Sequence, residues 1–232
     1  GIGASNLGHR HHRVAQAIRK QVGKYWHTMV YGEYIQSPQI KLARKLANAL
    51  PEKLDSTYFV NSGSEAIEGA LKLAKRYTGR TKLVAMQNAY HGSSHGALSL
   101  MSDPYFSNAY RPLLPETYFA QYNDVDSLNI IDQQTAAVIV EMVQGEAGYL
   151  KGDPEFIKAL RKKCDETGTL LIVDEIQSGM GRTGKLFAFE HFGITPDILC
   201  LAKAFGGGMP LGAFVANKDV MHCLSHDPVL GH

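Results

Sequence analysis

From Tyr58 onward, short apolar, β-rich runs alternate with stretches of helical periodicity, and that alternation points to βαβ units around a mostly parallel sheet. Seven runs read as strands: Thr57–Val60, Lys82–Met86, Thr117–Ala120, Ala136–Val140, Thr169–Val173, Asp197–Leu201 and Leu211–Ala216. Helical periodicity is clearest in Glu65–Tyr77, where Ala66, Ala70, Leu73, Ala74 and Tyr77 share a face, and in Pro154–Thr167. Ile40–Leu50 reads as one more helix. The expected fold class is α/β, a mostly parallel seven-stranded sheet flanked by helices. Residues 1–35 differ: His9, His11, His12, Trp26, Tyr31 and Tyr34 appear there with little periodicity, as in an arm, so the large domain is expected over 36–232.

Composition removes several function classes. Hydrophobic residues make up 44% and charged residues 20% of the 232-residue chain, and no apolar run approaches the ~20 residues that span a bilayer. With a formal net charge of +2 and no block of basic residues interleaved with aromatics, nucleic-acid binding is not expected. Cys164, Cys200 and Cys223 are widely spaced and contain no Cys-x-x-Cys, which argues against a disulfide framework or zinc site and suits a cytoplasmic location. The pair His91 and His95 lacks a third ligand nearby, and the cluster His9, His11 and His12 reads as surface or interface, so no metal site is expected.

Chemistry is concentrated at two strand ends. Lys203 follows the apolar run Asp197–Leu201 and precedes Gly206-Gly207-Gly208, a setting expected to shield its amine from solvent and suit it to nucleophilic Schiff-base chemistry. Asp174 ends the run Leu170–Val173, with Gln177 three positions later. In pyridoxal phosphate enzymes a lysine holds the cofactor aldehyde while a carboxylate keeps the pyridine nitrogen protonated, and Lys203 and Asp174 fit those two catalytic roles. Ser62-Gly63-Ser64-Glu65 follows a strand and opens a helix. Ser62 and Glu65 make a capping-box pattern, and the free N–H groups of the helix start, with glycine allowing close approach, form an anion site. Tyr90 follows the next strand, where its ring has room to stack on a flat ligand. Glu146 ends the segment after Ala136–Val140, at the carboxyl edge where open α/β sheets bind ligands. Glu141 reads as structural, and Glu175 and Arg182 as loop residues paired in a salt bridge.

The stretch Ile172-Val173-Asp174-Glu175-Ile176-Gln177-Ser178-Gly179-Met180-Gly181-Arg182-Thr183-Gly184, followed by Pro196-Asp197-Ile198-Leu199 and Lys203, resembles the signature of class III pyridoxal phosphate aminotransferases. The acetylornithine and ornithine branch is the nearest. The resemblance runs from Asn6-Leu7-Gly8-His9 through Asn61-Ser62-Gly63-Ser64-Glu65-Ala66 and Val143-Gln144-Gly145-Glu146 to Ala216. It implies a fold-type I cofactor domain, and cofactor contacts from Gly63 and Ser64 to the phosphate, from Tyr90 to the ring face and from Gln177 to the phenolic oxygen. It also implies that Glu146 pairs with a substrate-recognising arginine beyond this chain. The implied reaction is amino transfer between acetylornithine or ornithine and 2-oxoglutarate, in a homodimer whose N-terminal arm packs on the partner subunit. A longer protein with a C-terminal small domain is implied as well.

Three positions depart from the pattern: Ser93 stands where an arginine commonly follows the aromatic-x-Gly unit, His12 where a proline follows Gly-x-x-His, and Met142 where a proline follows Glu141. Ser93 bears on the substrate, the other two on local backbone. A 2,1-aminomutase or a decarboxylating relative shares the fold and the lysine. A non-catalytic module of the same fold is the alternative from another class.

Overall fold

The computed structural model describes residues 3–28 and 34–223. In chain order its elements are α1 (His12–Val22), α2 (Ser37–Ala49), β1 (Ser56–Val60), α3 (Gly63–Thr78), β2 (Lys82–Met86), α4 (His95–Ser99), α5 (Pro104–Ser107), β3 (Thr117–Ala120), β4 (Thr135–Glu141), β5 (Val143–Gln144), β6 (Leu150–Lys151), α6 (Pro154–Thr167), β7 (Leu170–Asp174), β8 (Ile198–Leu201), β9 (Gly212–Ala216) and α7 (Lys218–Met221). Seven strands form one sheet in the order β1-β9-β8-β7-β4-β2-β3. β9 is antiparallel to both neighbours and every other pairing is parallel. All seven expected strands are present, and the sheet is mostly parallel as the alternation implied.

Both faces of the sheet are covered, so β4, β7 and β8 are buried along their whole length and read as continuous apolar runs. On one face α3 packs Ala66, Ile67, Ala70, Leu71 and Ala74 against Ile172, Ile198 and Phe214. Small residues let the helix approach closely: a Cβ on Gly69 would collide with the Phe214 ring. On the other face Phe156, Ile157, Leu160 and Cys164 of α6 join Leu46 of α2 and Val138, Val173 and Leu199 of the sheet. Both long helices have local stop signals. Ser62 accepts from Glu65 N–H (3.2 Å) at the start of α3 and Gly79 ends it in the left-handed region; Asp153 and Gly168 do the same for α6. The expected capping box is only half formed, because the Glu65 carboxylate reaches one residue further back, to the N–H of Asn61 (2.7 Å).

Some expectations need correcting. The arm is not aperiodic: residues 12–22 form α1, whose face of Val14, Ala15, Ile18 and Gln21 is half-buried, a helical spacing obscured by the surrounding histidines and basic residues. Within its own chain, Asn6 donates to the Met180 carbonyl (2.7 Å), and a Cβ placed on Gly207 would meet Val14 at van der Waals distance. Tyr31 lies outside the described residues. Tyr77, expected on the buried face of α3, is exposed near the end of that helix.

Glu175 makes no salt bridge to Arg182. Its side chain is buried, and its two oxygens accept the N–H groups of Ala188 and Phe189, both at 2.7 Å, which anchors the loop after β7. Burial pushes its carboxyl up to about 7, against the opposing pull of those two N–H groups. The native state therefore holds a proton that the unfolded chain releases near 4.5, so this contribution to stability is present below that pH and is lost as pH rises through about 7. Denaturant unfolding at pH 5 and pH 7.5 should show Glu175→Gln losing less stability across that interval than the unaltered protein, by about 2 kcal/mol. Identical losses in the two proteins would contradict the assignment.

Candidate active site

The carboxyl ends of β1, β2, β4, β7 and β8 converge on one cavity of about 320 Å³, and the antiparallel β9 closes it through Pro210 and Leu211 at its amino end. Each strand delivers its next residues to that rim. β1 leads into Ser62, Gly63 and Ser64, β2 into Tyr90 and His91, β4 ends in Glu141 and runs on to Glu146, β7 ends in Asp174 and leads to Gln177, and β8 leads to Lys203. All the residues expected at the site, Gly63, Ser64, Tyr90, Glu146, Asp174, Gln177 and Lys203, line this cavity.

Lys203 sits at φ 48, in the left-handed region that non-glycine residues rarely adopt, and begins a short 3-10 turn ending at Gly207 and Gly208, both at positive φ. The expected shielding is partial, because Lys203 is half-buried and faces the cavity rather than the core. It is the only lysine or arginine lining the cavity among the described residues, opposite three carboxylates, Glu141, Glu146 and Asp174.

Asp174 is buried and held at both oxygens. Oδ1 accepts the Ile176 N–H (3.0 Å) and Oδ2 lies 2.8 Å from His91 Nδ1. At the start of α3, the helix geometry leaves the N–H groups of Gly63 and Ser64 without intrahelical acceptors. Ser64 Oγ accepts the Ser93 N–H (3.3 Å), and a Cβ on Gly92, at φ +129, would collide with that hydroxyl. Ser93 is exposed and lies outside the cavity lining. The Tyr90 ring packs edge-on against Phe106 (5.9 Å), and Gln177 is confined between Gly3 and Gly145, neither of which has room for a Cβ.

Two residues at the site were not identified from sequence. In sequence His91 pairs with His95 as a possible metal ligand, yet it is buried against Asp174 while His95 is exposed. Glu141, read as structural, lines the cavity; its Oε2 accepts the Tyr90 N–H (3.2 Å) and its Oε1 the Gly145 N–H (3.3 Å). Burial raises its carboxyl above the usual range, and Asp174 adds to the shift. Its position directly after the apolar run Ala136–Val140, aligned with Asp174 in the next strand, was the available signal.

A larger groove of about 570 Å³ between the arm and α2 shares Asn61, Pro210 and Leu211 with the first cavity, but no carboxylate, lysine or arginine lines it among the described residues. The chemistry therefore belongs to the smaller cavity. There an amine, a doubly held carboxylate, a helix start, an aromatic ring and an amide suit a ligand that carries a carbonyl, a basic ring nitrogen and an anionic group.

The Aminotransferase class-III family profile matches residues 1–231. The chain belongs to the class-III aminotransferases. Among curated class-III relatives, acetylornithine aminotransferase of Methanopyrus kandleri is 48% identical over 95% of this chain and 56% of its own length. Succinylornithine transaminase of Salmonella paratyphi A is 43% identical over 94% of this chain and 54% of its own length. A PLP-bound amine transaminase from an uncultivated Pseudomonas species superposes with a TM-score of 0.92 at 28% identity, over all of this chain and 61% of that structure. Ornithine aminotransferase from Toxoplasma gondii gives a TM-score of 0.90 at 31% identity, over all of this chain and 55% of that structure. This class-III chain thus spans a little over half the length of the relatives it matches.

Proposed function

We propose that this chain is the cofactor-binding part of a pyridoxal phosphate-dependent aminotransferase that takes an amino group from an N-acylated ornithine or ornithine and passes it to 2-oxoglutarate. The observation that carries the reading is the convergence of Lys203, Asp174 and the start of α3 on one cavity. When bound, the cofactor supplies an aldehyde that condenses with amines and a ring that accepts electrons.

The chain's own residues divide the remaining work. Lys203 would present the amine that holds the aldehyde and, as a free base, would take and return the proton at the substrate carbon. Asp174 holds the ring-nitrogen proton with an ionic partner. Gly63 and Ser64 donate to the phosphate at the helix start, where the macrodipole favours an anion. Tyr90 would cover the ring face, Gln177 would meet the phenolic oxygen, and Glu146 would stand at the substrate side.

The lining of three carboxylates and one cation fits a substrate whose carboxylate is gripped by an arginine outside this chain. The domain reading is correspondingly an arm over 1–35, a cofactor domain over 36–232 and a small C-terminal domain in sequence not contained here, assembled as a cytoplasmic homodimer. Relatives named for acetylornithine and succinylornithine support an acylated ornithine as donor. The test is glutamate formation from 2-oxoglutarate by the full-length protein with N-acetylornithine, N-succinylornithine or ornithine. Turnover is expected with at least one acylated donor, and inactivity with all three would refute the substrate assignment.

A further inference from the structure

His91 is a buried, polar side chain in contact with the one carboxylate on which the proposed chemistry depends. Its ring is fully enclosed, and its Nδ1 lies 2.8 Å from Asp174 Oδ2. An ionised carboxylate only accepts hydrogen bonds, so the proton of this contact belongs to His91 Nδ1. His91 Nε2 has no hydrogen-bond partner. A second N–H there would be a buried, unpaired donor on a charged ring, and the neutral Nδ1–H tautomer avoids burying that charge. The charged groups acting around it are Asp174 and Glu141.

We propose that His91 is a positioning residue: with the Ile176 N–H it fixes both oxygens of Asp174, so that the carboxylate's remaining lone pairs face the cavity where a ring nitrogen would lie. The inference rests on the cofactor reading above and goes beyond it by assigning a residue that touches neither cofactor nor substrate. Loss of the Nδ1 donor leaves Asp174 Oδ2 buried with one partner fewer and free to turn. Because His91 lies between Tyr90 and Gly92, the same residue also links the backbone of the ring-covering tyrosine to the turn against Ser64.

The test compares His91→Asn and His91→Leu in the protein reconstituted with pyridoxal phosphate. The asparagine Nδ2 lies as many bonds from Cβ as the histidine Nδ1 and offers the same donor; leucine fills similar space and offers none. Cofactor dissociation constants should rise about tenfold for His91→Leu and stay within about twofold of the unaltered protein for His91→Asn. The visible band of the bound cofactor should shift in the leucine variant alone. Equal behaviour of the two variants, normal or impaired, would overturn the proposal.

Nitrogen-15 NMR of histidine-labelled unaltered protein supplies a result that does not depend on either variant folding. Nδ1 of His91 should be protonated and Nε2 bare, and an unprotonated Nδ1 would equally overturn the proposal. If the unaltered protein takes up no pyridoxal phosphate, the cofactor reading fails. If it takes up the cofactor and the variants match each other, only the role of His91 fails.

Discussion

Replacing Lys203 by alanine should abolish amino transfer, with a loss of roughly 10³-fold or more, while the protein stays folded. Lys203 is half-buried at the cavity wall and contributes to neither hydrophobic cluster. Its φ of 48 already places a non-glycine residue in the left-handed region, so alanine brings no new backbone strain. What is lost is the only lysine or arginine side chain that reaches the cavity among the described residues. Thermal unfolding and amino-transfer rates, measured on the same preparations, separate the two effects. A variant that folds and still turns over within tenfold of the unaltered protein would show that another amine performs the chemistry.

Asp174→Asn should lower turnover by roughly 10²-fold or more while weakening folding by only about 1–3 kcal/mol. Asparagine keeps the shape but has one acceptor oxygen where the carboxylate has two. It can satisfy the Ile176 N–H or His91 Nδ1–H, and the NH2 group then faces the other donor unless the histidine changes tautomer. The catalytic loss is larger because an amide cannot hold a ring-nitrogen proton as an ion pair. Glu141 should respond too: Asp174 is one cause of its raised carboxyl, so neutralising residue 174 brings Glu141 back toward the ordinary range. Near-normal turnover in Asp174→Asn would mean that the ring nitrogen is served by another group.

Much of this arrangement is legible in the sequence because it is local. Pro154–Thr167 carries its own start and stop signals, Asp153 and Gly168, and the helix has those bounds. The strand ends that bear Asp174 and Lys203 are visible as apolar runs closed by a polar residue, and the open edge of a parallel sheet brings them together. The contacts that sequence did not disclose are long-range. His91 and Asp174 are 83 residues apart, and their meeting depends on strand order, which no local pattern encodes. Glu175 was misread for a related reason: beside Asp174 in a loop-like segment it looks solvated, but Ala188 and Phe189 fold over it and supply the N–H groups that replace water. In α1, the face of Val14 and Ile18 is narrow and set among charged neighbours, so its period was too weak to outweigh the histidines around it.

Whether Lys203 anchors the cofactor is read by borohydride reduction of the protein loaded with pyridoxal phosphate, followed by peptide mapping. The cofactor mass should be fixed on the peptide that contains Lys203 and should be absent from the same peptide in Lys203→Ala. Fixation on a different lysine of the unaltered protein would show that Lys203 is not the anchor.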